Sequence, residues 1–366
     1  MPTPTPTMWN DELTPDAEYL RERLLEMLAI PSPTGFTDEL SHYVCAELTR
    51  LQIPHELTRR GTIVARLAGD RSGCARAVVN HLDTIGAVVT ALKANGRLGI
   101  APLGTWSSRF AEGGRVTIYS HGEVLRGQVL PVLASGHAFN EQIDQLPVSW
   151  DTVEVRLNAP FANRADLEQA GITTGAFVNF DSDPEISQHG FITARHLDNK
   201  AGASALLAAL KLLARAPRRP EVDFIAVFTV TEEVGTGASA SLPADVAEMV
   251  GIDIGPVAPG QNARETGVTL CAQDTSGPFD RHLLSQFKRL CREHDIDHQV
   301  DLFRYYYSDA NSAVLAGRDV RDALLTFGTD ATHGYERTHL SSLTSLARLL
   351  AAYAFSPQVE APQRAG

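Results

Sequence analysis

The sequence predicts an α/β protein in which a mixed, mostly parallel sheet is flanked by helices and interrupted by a small inserted β domain. Three observations lead there. Residues 77–80, 224–228, 249–252 and 323–327 are short apolar runs without polar alternation, the pattern of strands buried on both faces of a parallel sheet. Helical patterns alternate with them, notably the spacing of Leu20, Leu24, Leu25 and Leu28 and the Ala/Leu-rich stretch 203–214. After Gly86 the texture changes: runs shorten, glycines multiply, and Asn95-Gly96, Gly113-Gly114 and His121-Gly122 mark turns, Asn-Gly being the strongest hairpin signal of the three. The expected division is a discontinuous α/β domain, residues 8–86 and 191–357, around an insert at 87–190.

Taken in order, prolines at Pro2, Pro4 and Pro6 disfavour helix and ladder pairing, so residues 1–7 read as a frayed tail. A helix over 16–29 stops before Pro31-Ser32-Pro33-Thr34-Gly35, where two prolines and a glycine force a turn. Thr37, Glu39, Leu40, Val44 and Leu48 suggest a second helix, capped by the Thr37 hydroxyl. Strand and turn alternate over 62–83, and residues 175–180 close the insert. The helix at 203–214 is rich enough in Ala and Leu to lie buried against the sheet, and Pro217 and Pro220 end it. A strand at 267–272, a helix at 279–293 and an amphipathic helix at 341–353 complete the domain. The tail from Pro357 reads as disordered.

A net charge of −12 argues against nucleic acid and anionic membranes as partners, since both reward basic patches. Hydrophobic content of 43% is ordinary for a soluble globular chain. No apolar run has transmembrane length and the N-terminus lacks a signal-peptide pattern, so a cytoplasmic location is expected. Cys45, Cys74, Cys271 and Cys291 are scattered without C-x-x-C spacing, which points to reduced, structural thiols.

The four apolar runs share a second property: each leads to residues able to hold a metal ion. His81 and Asp83 follow the first, Glu232 and Glu233 the second, Asp253 the third, and His333 and Glu336 the fourth. Asp198 stands instead before the 203–214 helix. In open α/β sheets, ligands bind beyond the carboxyl ends of the strands. Adjacent glutamates repel by roughly 4 kcal/mol at about 4 Å and an effective dielectric of about 20, so a cation is expected beside Glu232 and Glu233. Two His, two Asp and a Glu, with a second Glu to spare, suit two divalent ions with mixed nitrogen and oxygen ligands. Asp83 would point the same way as His81 along a strand and orient its imidazole. Of Glu232 and Glu233, one would hold metal and the other the attacking water. Asp198 would bridge the ions, with capping of the next helix as its plainer role. His333 is preferred to His339 because it lies nearer its strand end, and His196 is read as a supporting or surface residue.

A rival reading starts from Gly235-Thr236-Gly237-Ala238-Ser239-Ala240, which fits the G-x-G-x-x-A fingerprint of a dinucleotide-binding protein, with Asp253 near the place of the ribose-binding acid. Against it, Glu232 and Glu233 would stand beside the pyrophosphate and Pro243 would interrupt the required helix. His81, Asp198 and His333 would have no role. No G-x-S-x-G elbow supports a serine hydrolase. A non-catalytic scaffold would be expected to lack a base or a ligand, whereas every required residue type is present.

The order His81-Leu82-Asp83, Asp198 before Ala201-Gly202, Glu232-Glu233-Val234-Gly235, Ile252-Asp253-Ile254-Gly255 and His333 followed by Glu336 resembles the M42 family of dinuclear metal aminopeptidases. Residues 31–35, 175–178 and Ser308-Asp309-Ala310 match as well, so the resemblance spans nearly the whole chain. It implies a zinc-peptidase-like fold and two divalent metal ions per subunit, zinc first and cobalt or manganese as alternatives. One ion would be held by His81, Asp198 and Asp253, the other by Asp198, Glu233 and His333, with Glu232 as general base. Residues 87–190 would be the family's oligomerisation domain, building a homo-oligomer, in relatives often a tetrahedral dodecamer. The chain departs from the family in the short link after Gly235 and in His333-Gly334-Tyr335-Glu336, which lacks the usual proline. It looks most like the branch associated with the osmoprotectant N-acetylglutaminylglutamine amide. The implied activity is hydrolysis of an amide bond in short peptides by an aminopeptidase, with a deacylase acting on an N-acylated dipeptide amide as the alternative.

Overall fold

The computed structural model describes residues 13–121 and 124–359. The expected tail at 1–7, and Gly122 of the expected His121-Gly122 turn, lie outside the described residues. Helices α1 (Ala17–Ala29) and α2 (Asp38–Arg50) precede strands β1 (His55–Leu57), β2 (Ile63–Leu67) and β3 (Arg71–His81). Six strands follow: β4 (Gly86–Leu92), β5 (Leu98–Leu103), β6 (Arg115–Tyr119), β7 (Leu125–Pro131), β8 (Val153–Leu157) and β9 (Phe177–Phe180). The short helices α3 (Gly136–Phe139) and α4 (Arg164–Gln169) lie between β7 and β9. The chain then runs through β10 (Glu185–Ile186), β11 (Phe191–Ala194), α5 (Leu197–Arg215), β12 (Val222–Thr229), β13 (Val246–Pro256), β14 (Val268–Asp274) and β15 (Gly277–Pro278). It ends with α6 (Arg281–Glu293), β16 (His298–Leu302), α7 (Asp309–Leu315), β17 (Arg321–Thr329), β18 (Glu336–His339) and α8 (Leu340–Phe355).

The large sheet has the order β1-β2-β12-β3-β13-β17-β14-β15, with β16 also on β14. Its four central strands β12, β3, β13 and β17 are mutually parallel, so their carboxyl ends share one edge. This is the mixed, mostly parallel sheet expected from the sequence. The reason is visible in β12, where alternate residues feed different cores. Phe224, Ala226 and Phe228 pack with α1, α5 and α8, while Ile225 and Val227 pack with Ala238, Leu242, Ala310 and Ala313. Each large aliphatic or aromatic side chain buried this way contributes about 1.5–3 kcal/mol, which favours apolar residues on both faces. The strands β4 to β9 form a separate closed barrel, β4-β5-β8-β7-β6-β9, with its own core around Trp106, Val116, Val155 and Phe180.

Several local expectations need correction. The barrel ends at Phe180; Glu185–Ile186, inside the expected 87–190 insert, pairs with β11, which pairs with β18. The Thr37 hydroxyl makes no capping hydrogen bond, and Asp38 and Glu39 supply the negative charge that favours a helix N-terminus. Helix α5 begins at Leu197, although Asp198 and Asn199 have non-helical backbone angles, so its regular part starts at Lys200. Helix α6 starts after Asp280, whose carboxylate accepts from the amides of His282 and Leu283. The chain after Phe355 is held through Val359: Arg76 Nη2 donates to Pro357 O and Val359 N to Glu248 Oε1. Of the four thiols, Cys271 and Cys291 are buried and unpaired, but Cys74 is exposed, which does not fit a structural role.

Candidate active site

Parallel alignment brings the predicted residues to one edge. His81 is the last residue of β3 and pairs in register with Thr229 of β12, two positions before the turn carrying Glu232 and Glu233. Asp253 lies on β13 opposite Thr326 of β17, and His333 sits in the turn between β17 and β18. Asp198 enters from the start of α5, locked by Asn199 Nδ2 donating to Ile252 O at 2.7 Å and Asn80 Nδ2 to Asn199 O at 3.1 Å. Gly202 is required here, because a Cβ would lie 2.1 Å from Asn199 Oδ1.

Both histidines have one ring nitrogen committed. His81 Nδ1 lies 2.8 Å from Asp83 O, and His333 Nδ1 lies 3.0 Å from Thr105 O at the end of a barrel loop. A carbonyl oxygen can only accept, so each Nδ1 carries a proton and each Nε2 is presented to the carboxylates. His81 Nε2 is 3.1 Å from Asp198 Oδ1 and 3.8 Å from both Glu232 Oε2 and Asp253 Oδ1. His333 Nε2 is 3.5 Å from Asp198 Oδ2 and 3.8 Å from Glu233 Oε2. Asp198 therefore stands between the two imidazoles, one oxygen toward each.

The electrostatics show a site short of positive charge. Burial, with Asp253, Asp309 and Glu233 alongside, holds Glu232 well above the usual carboxylate range. Burial and the charge of Asp198 push Glu233 up to about 8 and Asp253 up to about 6. Burial works in the opposite direction on His81 and His333, yet the carboxylates around them raise both, His333 to about 10. Asp198 Oδ1 is buried without a well-directed hydrogen-bond donor. Raised in this way, each imidazole holds a proton on Nε2 against Asp198, and a divalent ion can take the place of those protons among the same carboxylates, so the donor set fits divalent metal. Among the described residues, donors close to within 4.8 Å in two groups, His81 with Glu232 and Asp253, and His81 with Asp198 and Glu233. Glu232 thus sits within reach of a metal position as well as of the cleft, and His333 lies outside both groups.

Supporting residues were less legible. The Asp83 carboxylate stands 3.6 Å from His81 Nδ1, on the side expected, while the backbone carbonyl of Asp83 makes the hydrogen bond at 2.8 Å. The carboxylate accepts from Thr34 Oγ1 at 2.7 Å and from the amides of Glu232 and Glu233 at 3.1 and 3.3 Å, fixing the glutamate turn. That also explains the Pro31–Gly35 turn, where Ser32 Oγ donates to Leu82 O. Glu336, 1% exposed, accepts from Asp198 N at 3.1 Å and His333 N at 2.9 Å, so one carboxylate ties two candidate ligands together. Asp309 accepts from Ala238 N at 2.7 Å and also from the Thr229 hydroxyl; its only sequence signal was the Ser308-Asp309-Ala310 match. The barrel contributes too: Ile85 N, beside its first strand, donates to Glu233 Oε1 at 3.0 Å. His196 is buried with Nε2 near Phe180 O, and His339 bonds to His189 O and Ser341, away from the carboxylates.

The dinucleotide reading fails on local structure. Residues 235–240 form turns, with no helix to present amides to a pyrophosphate. Gly237 has another cause, since a Cβ there would lie 2.1 Å from Asp309 Oδ1.

Comparison with known proteins agrees with the geometry. The model of the family described as M42 glutamyl aminopeptidase matches residues 61–349. The chain is 34% identical over 341 residues to YhfE of Bacillus subtilis (strain 168), a protein that carries an aminopeptidase name, covering 92% of this chain and 98% of that one. It is 26% identical over 230 residues to the glutamyl aminopeptidase of Lactococcus lactis subsp. cremoris (strain MG1363), covering 61% and 62%. Among solved structures, the TET1 peptidase of Pyrococcus horikoshii superposes with a TM-score of 0.82 at 21% identity, covering 92% of this chain and 100% of that one. A TET aminopeptidase from a marine sediment archaeon of the Thaumarchaeota gives 0.84 at 17% identity, covering 93% and 96%. No described helix is long and apolar enough to cross a membrane. The chain belongs to the M42 peptidase family and is a peptidase, a hydrolase whose histidines and carboxylates at the strand ends form a candidate metal centre.

Proposed function

We propose that this protein is a metallo-aminopeptidase that removes the N-terminal residue from short peptides, using two divalent ions and Glu232 as general base. The observation that carries the reading is Asp198, one oxygen toward His81 Nε2 and the other toward His333 Nε2, with both Nδ1 atoms already engaged by carbonyls. His81, Asp198 and Asp253 would hold one ion, and Asp198, Glu233 and His333 the other, zinc being well suited to this mixture and cobalt or manganese compatible with it. Divalent ions held there would lower the pKa of a bound water from 15.7 to about 7 and would polarise the scissile carbonyl. Glu232 lines the open cleft, takes the proton of the attacking water and passes it to the leaving amine. Asp83 keeps Glu232 and Glu233 in register through their amides.

The barrel would serve as an interface between copies in a homo-oligomer. The support is the likeness to Pyrococcus horikoshii TET1, whose structure is described as able to assemble into a tetrahedron or a large octahedral shell. Light scattering tests this: an assembly far larger than a monomer is expected, and a monodisperse monomer contradicts it. The activity is tested with metal-reconstituted protein on free, N-acetylated and amidated short peptides. Cleavage that requires a free amine is expected, and turnover of the N-acetylated dipeptide amide alone makes the protein a deacylase.

A further inference from the structure

The cleft beside the strand ends encloses about 820 Å³, and its charged lining is one-sided. Asp198, Glu232, Glu233, Asp253 and Asp309 supply five carboxylates, and no lysine or arginine lines the cleft among the described residues. Two divalent ions would bring four positive charges against these five, leaving none over for a substrate side chain. The cleft also carries exposed apolar and aromatic groups: Val234, Tyr305, Tyr307 and Leu315, with Tyr305 86% and Leu315 77% exposed. The tyrosine loop is anchored beneath them. Tyr306 Oη donates to Ile254 O at 2.7 Å, next to Asp253, its backbone N donates to Thr275 Oγ1 at 2.7 Å, and its ring packs 5.1 Å from Phe303. Tyr305 and Tyr307 are thereby held at a site where large rings gain most from covering by another apolar group.

We infer that the cleft selects peptides whose N-terminal residue is apolar or aromatic and rejects those beginning with Glu or Asp; this rests on the aminopeptidase reading above. An acidic side chain entering here meets five carboxylates, and the nearby guanidinium of Arg304 lies outside the lining, over the Tyr305 ring at 5.2 Å, an arrangement of the kind by which interfaces exclude a wrong ligand. An apolar side chain instead covers Tyr305, Tyr307 and Leu315. The specificity thus departs from the glutamyl preference in the family's description.

The test is steady-state hydrolysis by metal-reconstituted, full-length protein of matched free-amine substrates beginning with Leu, Phe, Ala, Lys and Glu. The expected kcat/KM for Leu and Phe exceeds that for Glu by about 100-fold or more. Tyr305→Ala combined with Tyr307→Ala is expected to raise KM for Phe and Leu more than for Ala, so that the preference for Phe over Ala falls. Leu315→Arg is expected to raise kcat/KM for Glu, and free Leu to inhibit more strongly than free Glu. All three side chains are exposed, and unchanged thermal melts verify folding. Glu cleaved as well as Leu, or aromatic truncation without effect on Phe, overturns the inference alone. Failure to cleave any free-amine peptide overturns the aminopeptidase reading and this inference with it.

Discussion

Strands β3 and β13 carry buried charge at two levels, five residues apart on each strand. At the first level Arg76 faces Glu248 in register, and every guanidinium nitrogen has a partner. Nε donates to Glu248 Oε2 at 2.7 Å, Nη1 to the carbonyls of Tyr353 and Ser356, and Nη2 to Pro357 O. Glu248 also accepts from Tyr353 Oη and Val359 N. At the second level His81 and Asp253 join Asp198, Glu232 and Glu233, and the acids outnumber the groups able to balance them. A fold can bury charge by supplying the counter-charge from its own chain or by leaving it to a guest. The first makes a clamp for the C-terminal helix, and the second makes the candidate metal site.

Four perturbations break or sharpen this contrast. Glu232→Gln is expected to lower kcat by about 10²–10⁴-fold while metal content and thermal melting stay unchanged; an unaltered rate assigns the base elsewhere. Arg76→Met leaves Glu248 buried without its cation, a change that typically costs about 3–5 kcal/mol. Denaturant melts measure it, and metal content is expected to hold; loss of metal on this change would mean that the two levels are coupled. His333→Ala is expected to empty one of the two proposed ion positions and His339→Ala neither, as read by elemental analysis. Glu336→Gln is expected to weaken metal affinity by about 10–100-fold, read by chelator competition, because it loosens Asp198 and His333 together.

A smaller effect concerns pH. In metal-free protein, burial raises Asp253 to about 6 and Glu233 to about 8, above their unfolded values. Groups raised in the folded state contribute stability that is full at low pH and fades as pH climbs through the folded value. Metal-free protein is therefore expected to lose stability between about pH 4 and pH 8, and saturating zinc to remove most of that slope. Thermal melts across the range, with and without metal, measure it.

The central strands were legible because burial on both faces keeps long runs of them apolar, and the candidate ligands because they follow those runs. What escaped were contacts between segments distant in sequence. Asp83 binds amides 149 and 150 residues away, and nothing in its neighbourhood distinguishes that from orienting His81. Gly237 imitated a nucleotide fingerprint because it makes room for Asp309, 72 positions later, a packing constraint invisible in a local pattern. The closing of the barrel before β10 was hidden because Glu185–Ile186 has the same short-strand texture as the barrel itself.

Metal titration of chelator-stripped protein, followed calorimetrically and by recovery of peptide hydrolysis, tests the central claim most directly. Two equivalents of divalent ion per chain are expected, with activity restored in step and the Asp198→Asn protein failing to take up the full complement. Peptide hydrolysis at full rate by the stripped protein, or uptake in Asp198→Asn equal to that of the unaltered chain, would contradict it.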